Sequence, residues 1–384
     1  MHILLVQRFD LAAVSCTRRV VSQAQELAAR GHTVTLVDFP HPERRTAMPS
    51  LGLEGLDEVR IIRLSRRGLD VVSNCRRLAR LEPRPDIVHL WKSYPDAALP
   101  ALAAADRANA PLHYDWDDWE PSIALELTGS RLAAHLASCW DRAILRACDT
   151  CSVASGQLRS IALDGGTQPD RLWDAPVGAD TRLFRPSPPD PLILERIGGP
   201  KPPVLVYVGQ LEVAVYAEMA VDALAVLLRR GQQARLLVVG GGRYEERLRR
   251  YAAQRGLEHL VQFTGYVLGS DVWRWLSVAA VGLAPFADTL VARCKSPLKI
   301  AEYLAMGLPV VASDVGDAAA MVEGAGFAVK PEDAEAMADC VQNILSDEDL
   351  RRSLGVVARR KAEERYNWSW HTDQLEAAYR AAMG

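Results

Sequence analysis

The chain has 384 residues, 49% of them hydrophobic and 24% charged, with a formal net charge of −3. A chain of this length buries about three quarters of its surface on folding, which supports more than one core and excludes disorder, a collagen-like repeat and a coiled coil. The near balance of acidic and basic residues supplies no field that would attract nucleic acid.

The first segment, Met1-His2-Ile3-Leu4-Leu5-Val6, lacks the length and flanks of a signal peptide, and no apolar run reaches the roughly 18 residues that span a bilayer. It reads as the first strand of a cytoplasmic protein. Beyond it, short runs rich in Val, Leu and Ile recur, each followed by an amphipathic stretch, which is the pattern of a parallel sheet covered by helices. In the first half the runs are 2–6, 33–38, 59–64, 86–91, 111–115 and 150–154, with helices expected at 17–30, 94–108 and 130–147. Ser15 or Thr17 is expected to cap the first helix.

Residues 58–85 carry eight arginines against three acidic residues, a solvated helix face or a peripheral contact with anionic lipid. The stretch His113-Tyr114-Asp115-Trp116-Asp117-Asp118-Trp119-Glu120 places four carboxylates in six residues at the end of a strand. Such crowding is costly unless the charges are solvated, paired or bound to a cation. The seven cysteines are odd in number and scattered, so a disulfide framework is not expected, and Cys148-x-x-Cys151 reads as a helix end running into a buried strand.

At Phe184-Arg185-Pro186-Ser187-Pro188-Pro189-Asp190-Pro191 the prolines interrupt both helix and sheet, and the domain boundary is placed there. A second series of runs follows at 203–208, 234–239, 260–264, 279–284, 309–313 and 326–329. The expected architecture is α/β: an N-terminal domain 1–186, a C-terminal domain 187–365, both doubly wound, and a last helix 366–384 returning to the first domain. Ligands of such sheets sit at the carboxyl ends of the strands, here facing a central cleft. From Pro331, read as a helix start, the chain is helical to its end.

The most specific segment is 293–316, Arg-Cys-Lys-Ser-Pro-Leu-Lys-Ile-Ala-Glu-Tyr-Leu-Ala-Met-Gly-Leu-Pro-Val-Val-Ala-Ser-Asp-Val-Gly. A basic loop feeds a helix beginning near Ser296-Pro297, so free N–H groups and the helix dipole offer a site for a diphosphate, with Arg293, Lys295 and Lys299 adding charge. This segment resembles the retaining glycosyltransferases of family 4, which have the GT-B fold of two Rossmann-like domains and take a sugar from a nucleotide diphosphate.

The resemblance implies a donor site in the second domain. Glu302 would hold the ribose diol, while Lys295, Ser296, Pro297, Leu298 and Lys299 would frame the diphosphate. Gly209 and Gln210 would form the turn beneath the phosphates, Gly241 the next turn, and Tyr266 and Val267 the segment whose backbone reads the base. In the first domain Asp117 stands where many members have a catalytic histidine, so Asp117 and Asp118 are the candidate catalytic residues. Trp116 and Trp119 would give the acceptor a stacking face, and Ser15 and Cys16 lie in a loop placed to touch it. Capping of the following helix is the alternative use of the acidic stretch.

Three departures bear on activity. Cys294 stands where a sugar-contacting glutamate is common. Gln210-Leu211-Glu212 lacks the usual Arg and Lys, and Asp117 replaces the histidine. The expected activity is sugar transfer from a UDP-, GDP- or dTDP-sugar, UDP first, to a small-molecule, glycan or lipid acceptor, with no cofactor and no required metal. A non-catalytic relative of such enzymes and a nucleotide-sugar epimerase remain alternatives. The sugar, the acceptor and the oligomeric state are not encoded in these motifs.

Overall fold

The computed structural model describes residues 1–11, 14–40, 55–65, 70–212 and 215–384, without the side chains of residues 14–16 and 215. The chain forms two compact units, Met1–Pro176 with Trp368–Gly384, and Val177–Asn367.

In the first unit the apolar runs become β1 (His2–Val6), β2 (Thr33–Asp38), β3 (Arg60–Arg63), β4 (Ile87–Trp91), β5 (Leu112–Trp116), β6 (Thr150–Val153) and β7 (Leu172–Asp174). All pair in parallel in the order β3-β2-β1-β4-β5-β6-β7. β1, β4 and β5 are buried along their whole length; in β1 this gives the run Ile3-Leu4-Leu5-Val6, whereas β5 buries His113 and Asp115 as well as apolar residues. Strand order reverses between β1 and β4, so the loops leaving those strands splay apart and open a site at their carboxyl ends.

The C-terminal helix Trp368–Met383 packs on the helix Val14–Ala29 and on β5, β6 and β7. Its buried side is polar as well as apolar. Tyr379 meets His89 Nδ1 at 2.6 Å, and His371 Nδ1 meets the Pro176 carbonyl at 2.8 Å. Burial drives His371 down to about 3, so it sits neutral in this network.

In the second unit β8 (Val204–Val208), β9 (Arg235–Val239), β10 (Val261–Phe263), β11 (Val281–Ala284), β12 (Val310–Ser313) and β13 (Gly326–Val329) form a parallel sheet in the order β10-β9-β8-β11-β12-β13. Its switch point lies between β8 and β11.

Several expectations need correction. The division falls after Pro176, not at the prolines. Phe184 is buried in the core of the second unit, the Ala179 N–H donates to the Tyr366 carbonyl, and Arg359 Nη1 donates to the Phe184 carbonyl. The prolines open a helix instead of a linker: Pro191 is the first residue of Pro191–Arg196, capped by Asp190 Oδ1. Pro331 sits in a turn, and Asp333 caps the helix that begins at Ala334. The helix expected to be capped by Ser15 or Thr17 begins at Val14, so both residues lie inside it, and the side chain of Ser15 is outside the described residues. Helices Asp70–Ala79, Glu120–Thr128 and Gly156–Asp164 and strand β7 were not singled out by the sequence pattern. Cys148 and Cys151 are buried free thiols, both pushed up by burial.

Candidate functional site

The acidic stretch of the first unit divides into one carboxylate that holds the sheet together and three that form a turn. Asp115 is fully buried on β5. Arg19 donates to it from Nε and Nη2, each at 2.7 Å, with further hydrogen bonds from Gln23 Nε2 at 2.8 Å and Ser152 Oγ at 2.6 Å. Burial opposes its charge, yet the Arg19 guanidinium and its hydrogen bonds hold the carboxyl well below the usual range. Asp115 is therefore a structural anchor.

Asp117, Asp118 and Glu120 surround the ammonium of Lys92, at 3.1, 2.7 and 2.7 Å. Lys92 follows β4 directly, and the pairing of Trp91 with Asp115 sets it level with the acidic turn. Its φ of 66° is a left-handed conformation uncommon for lysine, of the kind that persists where surrounding contacts dictate it. Burial works against the Lys92 charge, but the three carboxylates raise it well above its ordinary value. Burial pushes Asp117 upward against the pull of Lys92. Tyr94 donates its phenolic hydrogen to the other oxygen of Glu120. The cation that the crowding calls for is thus an ammonium.

Two further expectations fail here. Trp116 is 1% exposed and offers no face to a ligand; Trp119, with its ring centroid 5.6 Å away, is half-buried. Nor do the carboxylates cap the next helix, since Trp119 occupies the cap position without a side-chain hydrogen bond. Ser15 and Cys16 lie in the helix Val14–Ala29, and their side chains are outside the described residues.

The second unit builds its strand ends from backbone. The Gly209 N–H donates to the Val239 carbonyl, the Leu211 N–H to the Gly241 carbonyl, and the Gly240 N–H to Thr264 Oγ1, at 3.0, 3.0 and 3.1 Å. Gly240 also bridges Gly265. The turns after β8, β9 and β10 are therefore pressed together. Gly240 has φ 129°, and a Cβ there would lie 2.1 Å from the Gly209 carbonyl oxygen, so only glycine fits. Gly241 backs onto the Tyr266 amide, Tyr266 itself is 65% exposed, and Val267 packs on the core. Gln210 is exposed in the first of these turns.

Beside this cluster the helix Leu298–Ala305 begins after Pro297. Ser296 Oγ accepts a hydrogen bond from the Val177 N–H at 3.1 Å. Leu298 is half-buried, Lys295 exposed, and Glu302 6% exposed one turn beyond Lys299. Tyr303, on the same helix, accepts a hydrogen bond from the Val208 N–H at 2.7 Å, tying the helix to the end of β8. Arg293 is not a free cation: Asp288 binds it bidentately at 2.5 and 2.7 Å. Cys294 is buried.

Two family models match this chain. Residues 16–176 match the glycosyl transferase 4-like domain, and residues 202–347 match glycosyl transferases group 1. The chain thus carries a glycosyl transferase 4-like domain followed by a glycosyl transferases group 1 domain. Among individual proteins it is similar to sulfoquinovosyl transferase SQD2 of Arabidopsis thaliana, with 27% identity over 78% of this chain and 58% of that one. It is also similar to the GDP-mannose-dependent alpha-(1-6)-phosphatidylinositol monomannoside mannosyltransferase of Mycolicibacterium smegmatis, with 32% identity over 52% of this chain and 53% of that one. The chain spans about half the length of the curated relatives it matches. In fold it is similar to sucrose-phosphate synthase of Thermosynechococcus elongatus, with TM-score 0.77, 22% identity and coverage of 99% and 98% of the two chains. Anabaena HepE, solved with UDP and glucose, gives TM-score 0.73 at 17% identity over 98% of each chain. The fold is GT-B, an α/β arrangement of two Rossmann-like domains.

The structure gathers Gly209, Gly241 and Tyr266 into one loop cluster. Lys295 to Lys299 and Glu302 form the adjoining segment, and Asp117 and Asp118 share one turn in the other unit. Lys92 is the residue that sequence reasoning missed; a lone lysine ending an otherwise apolar strand next to the acidic strand was the available signal. Of the arginines in 58–85, Arg66 and Arg67 lie outside the described residues. No helix among the described residues is long and apolar enough to cross a membrane.

Proposed function

We propose that this chain is a retaining glycosyltransferase that moves a sugar from a nucleoside diphosphate sugar to a hydroxyl of a small-molecule, glycan or lipid acceptor. The observation that carries this reading is the loop cluster of the second unit. Three turns are packed backbone to backbone around Gly240, beside a helix start that presents N–H groups, with a buried glutamate one turn further along. In this reading the first N–H groups of Leu298–Ala305 and the charges of Lys295 and Lys299 receive the diphosphate. Glu302 accepts hydrogen bonds from the ribose diol, and the backbone at Tyr266 and Val267 meets the base.

Relatives named for GDP-mannose and a fold neighbour solved with UDP support a nucleotide-sugar donor, for which a UDP-sugar is our first choice. Negative charge grows on the diphosphate as the anomeric bond breaks, so the same N–H groups and lysines interact more strongly in the transition state than with the bound donor. The Asp117–Asp118 turn takes the acceptor, its carboxylates accepting hydroxyl hydrogen bonds and Trp119 giving an apolar face. Retention of configuration follows from the family, and no protein nucleophile is assigned.

The test is a thermal-shift screen with UDP, GDP and dTDP, followed by incubation with the matching sugar nucleotide. One diphosphate should stabilise the protein, by about 2.7 kcal/mol at a hundred times its Kd. Its sugar nucleotide should then release sugar slowly to water. No stabilisation by any of the three contradicts the reading.

A further inference from the structure

The helices Glu120–Thr128 and Arg131–Ala147 pack against each other as a hairpin, turned at Gly129, whose φ is 66°. Its outer surface is apolar. Leu125, Leu127, Leu132 and Leu136 are 43%, 76%, 67% and 53% exposed, all within the stretch from position 125 to position 136. A single exposed leucine needs no explanation, but a group of this kind marks a surface that meets something other than water.

The longer helix adds charge to this surface in an ordered way. At about 100° per residue, Arg131, His135, Arg142 and Arg146 form one stripe, and Leu132, Leu136, Cys139 and Ala143 form the stripe beside it, every one of them exposed. Half-buried Trp140 borders the apolar stripe. The inward side carries Ile144, Leu145 and Asp141, the one acidic residue of the helix, which accepts a hydrogen bond from Ser93. Its burial leaves the exposed arginines without a carboxylate on their own helix. Among the described residues Arg131, Arg142 and Arg146 form no ion pair, whereas on other surface helices Arg249 pairs with Glu245 and Arg230 with Glu335 and Asp339.

We propose that the hairpin 120–147 docks this chain on an anionic lipid bilayer, its leucines entering the interface and its arginines meeting the lipid phosphates. A bilayer boundary offers an apolar layer and an anionic layer side by side, which is the arrangement that the two stripes match. A second copy of this chain would cover the leucines but leave the basic stripe unanswered, because Glu126 is the one exposed acid of the hairpin. Charge complementarity therefore favours the lipid surface. The first residue of the hairpin, Glu120, pairs with Lys92 beside Asp117 and Asp118, so docking holds that acidic turn near the bilayer. The inference does not rest on the donor site proposed above.

Co-sedimentation of the full chain with vesicles of phosphatidylcholine, and with vesicles of phosphatidylcholine and phosphatidylglycerol in equal parts, tests the proposal. The chain should partition about 100-fold more strongly onto the mixed vesicles, since three arginines each add to the attraction. Raising the salt from about 0.1 M to about 0.5 M should release most of it. Leu132→Gln with Leu136→Gln leaves the charge unchanged and should weaken binding to the mixed vesicles about tenfold or more. Arg142→Gln with Arg146→Gln should weaken it about 30-fold. All four side chains are exposed, so both variants should keep the parent melting temperature. Equal binding to the two kinds of vesicle, or anionic binding that persists in folded variants of either kind, overturns the proposal. So does a dimer seen by sedimentation velocity without lipid that the leucine substitutions abolish, because a second copy would then own this face.

Discussion

In the first unit the strand ends present side-chain charge, and each charge has its partner. Asp115 is taken by Arg19, while Asp117, Asp118 and Glu120 share Lys92. In the second unit the strand ends present backbone, closed by hydrogen bonds between turns, and Lys299, half-buried with its ammonium over the Tyr207 ring, forms no ion pair among the described residues. The difference matches what each site is proposed to bind. A neutral acceptor rich in hydroxyls needs acceptor oxygens that are held in place, whereas an anionic donor needs donor groups and positive charge that are not already spent within the protein.

The strongest way to break this comparison is a single methyl. If the second site depends on backbone closeness, Gly240→Ala should destabilise the chain by about 4 kcal/mol or more, because the added carbon collides with the Gly209 carbonyl at a φ that alanine avoids. Urea unfolding should show a much lower midpoint, and calorimetry no UDP binding. A midpoint close to that of the unsubstituted chain would mean the turns can separate freely.

Removing the central cation of the first unit comes next. Lys92→Met strands three carboxylates and should cost about 3 kcal/mol at pH 8. Asp117 already has a raised folded-state value, so its charge opposes folding above the unfolded value, and the opposition is relieved as pH falls. Without Lys92 the value rises further. The deficit of the variant against the parent should therefore shrink between pH 8 and pH 5. A deficit independent of pH would assign Lys92 a packing role alone.

The same contrast explains what was legible in the sequence. β1, β4, β8 and β9 could be read because a strand buried on both faces is a local run of Val, Leu and Ile. The glycine turns were legible for the same reason: the residue type itself states that backbone comes close. Pairing of charges was not legible. Nothing local shows that Lys92 meets carboxylates 25 to 28 residues away, or that Asp288 already holds Arg293, because both depend on strand register and loop path. The boundary was misread because proline reports where regular structure is interrupted, and Pro191 interrupts by starting a helix. Trp116 was misplaced because alternation cannot tell which aromatic of Trp116 and Trp119 turns inward once the strand ends.

The most direct test of the donor site is the affinity of Glu302→Ala for UDP, measured by calorimetry beside uridine. A buried carboxylate holding the ribose diol makes two charged hydrogen bonds, so both ligands should lose about 1.5–3 kcal/mol, roughly 10- to 150-fold in Kd, with the melting temperature little changed. Unchanged affinity for both in a folded variant would contradict the assignment of the ribose to Glu302 and, with it, the placement of the donor on the second unit.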